Sequence, residues 1–191
     1  MKVIQIGANN DKDAVYDLVL ANKDIVSLVV LVEPIPFILE DLKNQYGSVP
    51  NVHIENIAIC DVKDNSHFTI YYEEGSNYEV SSFSKKHLID HGCPEFKIRE
   101  MLVPCMTVNQ LLDKYKIETL EHLFIDAEGL DVHILASIDF EKYKISNIVF
   151  EGAHTDGVRT RGQNYFETIK YLQSLGYIIE VLNGLNVRAF L

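Results

Sequence analysis

The sequence predicts an α/β protein, a doubly wound and mostly parallel sheet that closes in an antiparallel β-hairpin. Three observations predict it. Apolar runs alternate with amphipathic stretches from the first residue; three strand-like runs with two helical stripes between them are complete by residue 59; and Asn183-Gly184 separates two apolar runs near the end. Consecutive strand–helix–strand units force parallel pairing with right-handed crossovers, and Asn-Gly between apolar strands is the strongest short hairpin signal.

Val3-Ile4-Gln5-Ile6 is a short strand closed by the turn-forming cluster Gly7-Ala8-Asn9-Asn10-Asp11. Ala14, Val15, Leu18, Val19 and Ala21 then recur at helical spacing. Residues 27–33 are the most continuous apolar run, as a strand buried on both faces requires. Pro34 and Pro36 stop it, and Phe37, Ile38, Leu39, Leu42 and Tyr46 form the next helical stripe. Residues 52–59 alternate and read as one third strand, and 67–72 and 101–106 also read as strands. Between those two, residues 73–100 are polar, weakly periodic and punctuated by Gly75, Gly92 and Pro94. A connection of that length is functional or mobile, so it reads as an insertion and candidate lid. The βα rhythm resumes with a helix over 108–115, a strand over 122–127, a short helix after Asp131, a strand over 145–151 and a helix over about 164–175 that Gly176 stops. The whole reads as one domain, 1–191, carrying that insertion.

Seventeen basic against 28 acidic side chains give a formal net charge of −11. That charge argues against nucleic-acid backbones and anionic membranes as partners, since both demand a basic surface. No run reaches the roughly 18 apolar residues of a membrane span. Cys60, Cys93 and Cys105 form no CxxC pair, so they read as three reduced thiols in an intracellular, cytoplasmic protein.

Ligands of open α/β sheets bind at the carboxyl ends of the strands. The turn Gly7-Ala8-Asn9 offers close backbone approach and exposed amides, but it is neither GxGxxG nor a P-loop. Glu33 ends the second strand and can accept from both hydroxyls of a ribose, while Asn56, Ile57 and Ala58 would lie beside a base with Ile35 on its face. The alternatives are an ordinary Gly/Asn turn, a solvated acid, and Asn10 and Asp11 acting only as caps of the first helix.

VIQIGANND, VLVEPIPFILEDLKNQY, NVHIENIAICD, LFIDAEGLDVHIL and IVFEGAH occur in the order found in FkbM-type methyltransferases, and the chain resembles that family over residues 3 to about 154. The resemblance implies a Rossmann-like class I methyltransferase fold with a seven-stranded sheet. It implies S-adenosylmethionine as cofactor and O-methylation of a hydroxyl on a sugar, glycan or other small molecule. Carried over by position, Gly7, Ala8 and Asn9 hold the methionine part, Glu33 the ribose, and Pro34 and Ile35 the adenine pocket with Ile57 and Ala58 near the base edge. Asp126, Glu128 and Gly129 match the family's Asp-x-Glu-Gly block, Asp126 also counting with the cofactor set, and Glu151 and His154 match the acid and histidine after the next strand. Two positions depart from the pattern: Gln5 stands where the family often has an acid, and Phe124 where it has a lysine.

A hydroxyl acceptor must lose its proton as it attacks, so Asp126, Glu128, Glu151 and His154 are the candidate catalytic residues. Asp126, Glu151 and His154 can alternatively hold a divalent cation such as Mg²⁺. The bland readings are a helix cap for Asp126, a solvated turn for Glu128, and structural roles for His154 and His133. Arg159 and Arg161, in the 155–162 loop, suit an acidic or sugar-phosphate acceptor or a solvated surface. Tyr72, Tyr78, Phe83, Lys85, Lys86 and His87 make the insertion suit sugar stacking or packing under a loop. Two other functions stay open: a non-catalytic nucleoside-cofactor-binding module of the same fold, and a nicotinamide-dependent oxidoreductase, for which the second and third glycines are missing. An oligomer is compatible with either.

Overall fold

The structure is a computed structural model that describes residues 1–60 and 67–191. In chain order its first half is β1 (Lys2–Ile6), α1 (Ala14–Ala21), β2 (Leu28–Val32), α2 (Leu39–Gln45), β3 (Val52–Glu55), β4 (Ala58–Ile59), β5 (His67–Glu73), α3 (Lys85–Asp90) and β6 (Ile98–Met106). The second half is α4 (Val108–Lys114), β7 (Thr119–Ile125), α5 (Asp131–Ser137), β8 (Lys144–Glu151), α6 (Gln163–Ser174), β9 (Ile178–Val181) and β10 (Asn186–Phe190).

Among the described residues, seven strands form one sheet in the order β3-β2-β1-β7-β8-β10-β9, parallel except for β10, which runs antiparallel to both β8 and β9. Side-chain alternation along β1 and β2 explains the two-sided winding. Ile4, Ile6, Val30 and Val32 face one buried cluster together with Leu111, Leu112 and Leu135 from α4 and α5. Val3, Val29 and Leu31 face the other, with Val15, Val19 and Leu42 from α1 and α2. Adjacent residues pointing to opposite covered faces is why 27–33 reads as a continuous apolar run. In the closing hairpin, Asn183 Oδ1 accepts the N–H groups of Leu185 (2.8 Å) and Asn186 (2.7 Å), fixing the turn.

Three expectations need correction. Residues 52–59 are two strands: β3 stays in the main sheet, and β4 joins β6 and β5 in a separate three-stranded sheet. The break falls at Asn56, whose side-chain amide donates to the backbone oxygens of Glu33 and Pro34, both at 2.9 Å, and so turns the chain away. The insertion is not all loop. Its Ser84 caps the helix α3, too short and too polar for periodicity to reveal. Finally, Cys60 and Cys105 form a disulfide with their Cα atoms 6.4 Å apart, leaving Cys93 as the free thiol. The pairing of β4 with β6 brings together two cysteines 45 positions apart, which motif spacing does not detect. No helix among the described residues is long and apolar enough to cross a membrane.

Candidate active site

Strand order reverses between β1 and β7, because the chain builds outward from β1 to β3 and then returns beside β1 to build through β7 to β8. A cleft at the carboxyl ends of the strands beside that reversal is where open α/β sheets hold ligands. A cavity of about 580 Å³ lies there, within the range of small-ligand sites.

One side of the cavity is built by backbone. Gly7 has φ +76°, and a Cβ on it would stand 1.8 Å from the backbone oxygen of Asp126, so glycine alone lets the tips of β1 and β7 close on each other. The N–H groups of Gly7 and Ala8 both donate to Val32 O at 3.0 Å, and Asp126 N–H donates to Ile6 O at 2.9 Å. Glu33, buried at the end of β2, accepts from Asn9 N–H with Oε2 (2.9 Å) and from Ile35 N–H with Oε1 (2.8 Å). Its carboxyl is pushed up to about 7, chiefly by burial, with the two N–H bonds pulling against the rise and Asp126 adding to it. Glu33 thus braces the glycine turn and still borders the cavity.

The remaining cofactor candidates divide. Gly7, Ala8, Asn9, Pro34, Ile57 and Ala58 line the cavity, whereas Ile35 does not and packs beneath the small sheet with Ile38, Ile70 and Val103. Asn10 and Asp11 do not cap α1. Asp13 does, accepting from Val15 N–H (3.0 Å) and Tyr16 N–H (2.9 Å), while Gln5 Nε2 donates to its other oxygen at 2.7 Å. Asp13 therefore places a carboxylate in the lining, beside the position where the family's strand often carries its acid.

The other side is built by side chains. Asp126, Glu128 and Glu151 border the same cavity and bring carboxylate oxygens within 4.8 Å of one another. Asp126 is open to the cavity yet ringed by protein, and burial, then Glu128 and Asp13, push it up to about 7. Glu151 is pushed up to about 9 by burial and by Asp126, Glu128 and Asp131, and its buried Oε2 has no hydrogen-bond partner among the described residues. Asp131, unremarked in the sequence reading except as a helix start, is fully buried and accepts from Ala127 N–H (3.3 Å) and Glu151 N–H (3.2 Å). It ties the tips of β7 and β8 together, and burial drives its carboxyl far up. His154 stands behind this trio: Nε2 is 3.5 Å from Glu151 Oε1, but its ring borders a neighbouring cavity. Burial, then the nearby His91, His87 and Arg159 against an opposing pull from Glu128, lowers its proton affinity.

The insertion sits directly on this site. Ser82 Oγ donates to Glu128 O at 3.0 Å, and His87 Nε2 pairs with Glu128 Oε2 at 2.8 Å. Tyr78 and Phe83 line the main cavity, while Tyr72 packs against Phe37 and Tyr78. Lys85 and Lys86 pair with Glu95 and Asp90 at the surface. Arg161 donates to Gly184 O (2.9 Å) and lies 5.1 Å over the Tyr165 ring, so it fastens the 155–162 loop to the closing hairpin; Arg159 is exposed. Asp156 accepts from Gly162, Asn164 and Tyr165 N–H groups at 2.7, 2.9 and 3.1 Å and caps α6. His133 is exposed on α5.

Residues 5–179 match the model of the methyltransferase FkbM domain. The chain belongs to the FkbM methyltransferase family. No curated protein matches it. Among solved structures, the FkbM methyltransferase of Methylobacillus flagellatus KT is similar over 100% of this chain and 43% of its own, with a TM-score of 0.56 at 13% identity. A fibrillarin pre-rRNA processing protein of Methanococcus jannaschii is similar over 99% and 65%, with a TM-score of 0.51 at 11% identity. The chain therefore spans less than two thirds of either structure, and the likeness is one of fold: the class I methyltransferase sheet with its antiparallel closing hairpin. The glycine turn and Glu33 form one side of the cleft, and the Asp126-Ala127-Glu128-Gly129 block with Glu151 forms the opposite side.

Proposed function

We propose that this FkbM-family chain binds S-adenosylmethionine in the main cavity and methylates a hydroxyl oxygen of a sugar, glycan or other small molecule. The observation that carries the reading is one cavity shared by the Gly7 turn, the buried Glu33 carboxylate and three clustered carboxylates. The residues fit the cofactor chemically. Gly7, Ala8 and Asn9 leave the backbone open to the amino-acid part, Glu33 has a free lone pair on each oxygen for ribose hydroxyls, and Pro34, Ile57 and Ala58 supply an apolar wall for the base. When bound, the cofactor supplies a methyl group on a positively charged sulfur, reached in line by the acceptor oxygen.

The carboxylates then divide by proton affinity. Asp126, poised at about 7, is the group able to take the hydroxyl proton at neutral pH. Glu151, at about 9, keeps its proton there and uses its uncommitted oxygen to orient the acceptor. Glu128 holds the insertion through His87 and Ser82, and His154 supports Glu151. The insertion over 73–100 acts as the lid of a single domain and selects the acceptor with Tyr78 and Phe83. The acidic chain has neither nucleic acid nor membrane as partner. A Mg²⁺ ion would choose the oxygen donors Asp126, Glu128 and Glu151, because His154 faces away from the cavity; turnover with and without chelator tests for it. We retain a cytoplasmic setting, against which the Cys60–Cys105 disulfide is the contrary observation.

Calorimetry with S-adenosylhomocysteine and with NAD tests the cofactor, and methyl transfer to a panel of sugars and polyols tests the reaction. We expect one-to-one binding of S-adenosylhomocysteine, none of NAD, and turnover of at least one acceptor that Asp126→Asn abolishes. Failure of S-adenosylhomocysteine to bind overturns the reading. Binding without transfer to any acceptor makes the chain a non-catalytic cofactor-binding module.

A further inference from the structure

Three of the chain's seven histidines meet at the tip of β7, beside but outside the main cavity. We propose that His87, His91, Glu128 and His154 form a site for one divalent transition-metal ion of the zinc class, which clasps the insertion to the catalytic strand tips. Each of the four residues offers a ligand atom, and these atoms all lie within 4.8 Å of one another. Three of the separations are 2.8 Å for His87 Nε2 to Glu128 Oε2, 3.0 Å for His91 Nε2 to His154 Nδ1, and 4.0 Å for His154 Nδ1 to Glu128 Oε2. Metal bonds of ~2.0–2.1 Å in a tetrahedron put ligand atoms ~3.4 Å apart, so these distances straddle the required spacing.

The donors come from three places that only the fold unites. His87 is in α3 and His91 is its C-cap, four positions on and therefore on the same face, a spacing suited to two imidazoles on one ion. Ser84 anchors the start of that helix by accepting from His87 N–H. Glu128 comes from the turn after β7, where its φ is +47° and its Oε2 meets His87 Nε2. His154 comes from the segment after β8, and its second nitrogen faces Glu151 Oε1 at 3.5 Å, the carboxylate–histidine arrangement that orients metal-bound imidazoles. His87 and His154 are buried and the three rings pack with centroids 4.5, 4.7 and 5.4 Å apart. Without an ion, His91 and His154 spend one N–H on a nitrogen–nitrogen contact of 3.0 Å. Three nitrogens and one oxygen select zinc-like ions over Mg²⁺ or Ca²⁺, which prefer oxygen throughout. Four protein donors make a closed set, which belongs to structural rather than catalytic sites.

The site does not depend on the methyl-transfer reading, and its test does not use turnover. The tag-free 191-residue chain, stripped with chelator, is titrated with Zn²⁺ and with Co²⁺, followed by calorimetry, visible absorption and melting temperature. We expect one equivalent bound with Kd below about 1 μM, the intense visible bands of tetrahedral Co²⁺, and a melting temperature that rises with Zn²⁺. His91→Ala, at the half-buried end of α3, should weaken binding about 100-fold or more while S-adenosylhomocysteine binding, if present, and far-UV circular dichroism stay as in the parent. His133→Ala, at an exposed histidine elsewhere, should change nothing. Absence of stoichiometric binding overturns the proposal. So does binding that survives His91→Ala but is lost in Glu151→Gln, which would place the ion on the three carboxylates instead.

Discussion

The two sides of the cleft are made in different ways. The side formed by β1 and β2 is shaped by main chain: a glycine at positive φ, two N–H groups on Val32 O, and a buried glutamate held by two further N–H groups. The side formed by β7 and β8 is shaped by side chains drawn from the strand tips, the insertion and the segment after β8, with Ser82, His87 and Asp131 as the ties. The difference teaches that the geometry of one side, proposed for the cofactor, is written into a short stretch of backbone, whereas that of the other, proposed for the acceptor, is an agreement among distant segments. Main-chain sites break abruptly under substitution; side-chain agreements loosen by degrees.

The sharpest test of that contrast is Gly7→Ala. A methyl group 1.8 Å from Asp126 O, on a residue with φ +76°, cannot be relieved by rotating a side chain. We expect a loss of about 2–5 kcal/mol in denaturant unfolding, together with loss of S-adenosylhomocysteine binding; a stable, binding variant would show that the β1–β7 contact is not the rigid frame described above. Next in size, Glu33→Ala should weaken S-adenosylhomocysteine about 10–100-fold by calorimetry, since it removes a charged acceptor from the ribose and from the turn. An unchanged Kd would move the ribose elsewhere.

The third expectation concerns pH. Asp126 holds its proton below about 7 and is negative above it, so a cofactor with positive sulfur gains attraction as pH rises through that value. The affinity for S-adenosylmethionine should therefore increase up to about tenfold between pH 6 and 8, relative to S-adenosylhomocysteine, whose sulfur is neutral. Asp126→Asn should flatten the difference. Fourth, Ser82→Ala removes the hydroxyl that fastens the insertion to Glu128 O. It should cost about 1 kcal/mol of stability and raise KM for the acceptor, with S-adenosylhomocysteine affinity within about twofold of the parent. A larger effect on the cofactor than on the acceptor would erase the distinction between the two sides. Smallest of all, Lys85→Ala breaks an exposed pair with Glu95 and should leave the denaturant midpoint of unfolding where it is in the parent.

How much the sequence discloses follows the same divide. The β1–turn–α1 unit and the end of β2 at Glu33 are contiguous, so apolar periodicity and glycine placement suffice to find them, while across the cleft the Asp-x-Glu-Gly turn is marked by the family resemblance alone. Ile35 is the exception on the β1–β2 side, because which face of a turn a residue takes is decided by the small sheet beneath it. The other side hides. α3 spans six polar-rich residues, and the signal that marks it is the four-residue spacing of His87 and His91 rather than any hydrophobic stripe. Asp131 looks like a helix-start acid until β8 places Glu151 N–H against it. The Cys60–Cys105 bond, across 45 positions, and the departure of the chain at Asn56 both go with the pairing of β4 with β6, a contact between distant segments.

The Gly7–Asp126 contact sets a limit on how this scaffold can be altered. The residue proposed to receive the cofactor and the residue proposed to take the proton are two edges of one van der Waals boundary, so the gap between them is a fixed dimension rather than an adjustable one. Residues 5–9 and 124–129 consequently behave as a single inseparable part. The insertion touches that part through two side-chain ties to Glu128, so on the proposed function it is the piece to exchange in order to retarget the acceptor.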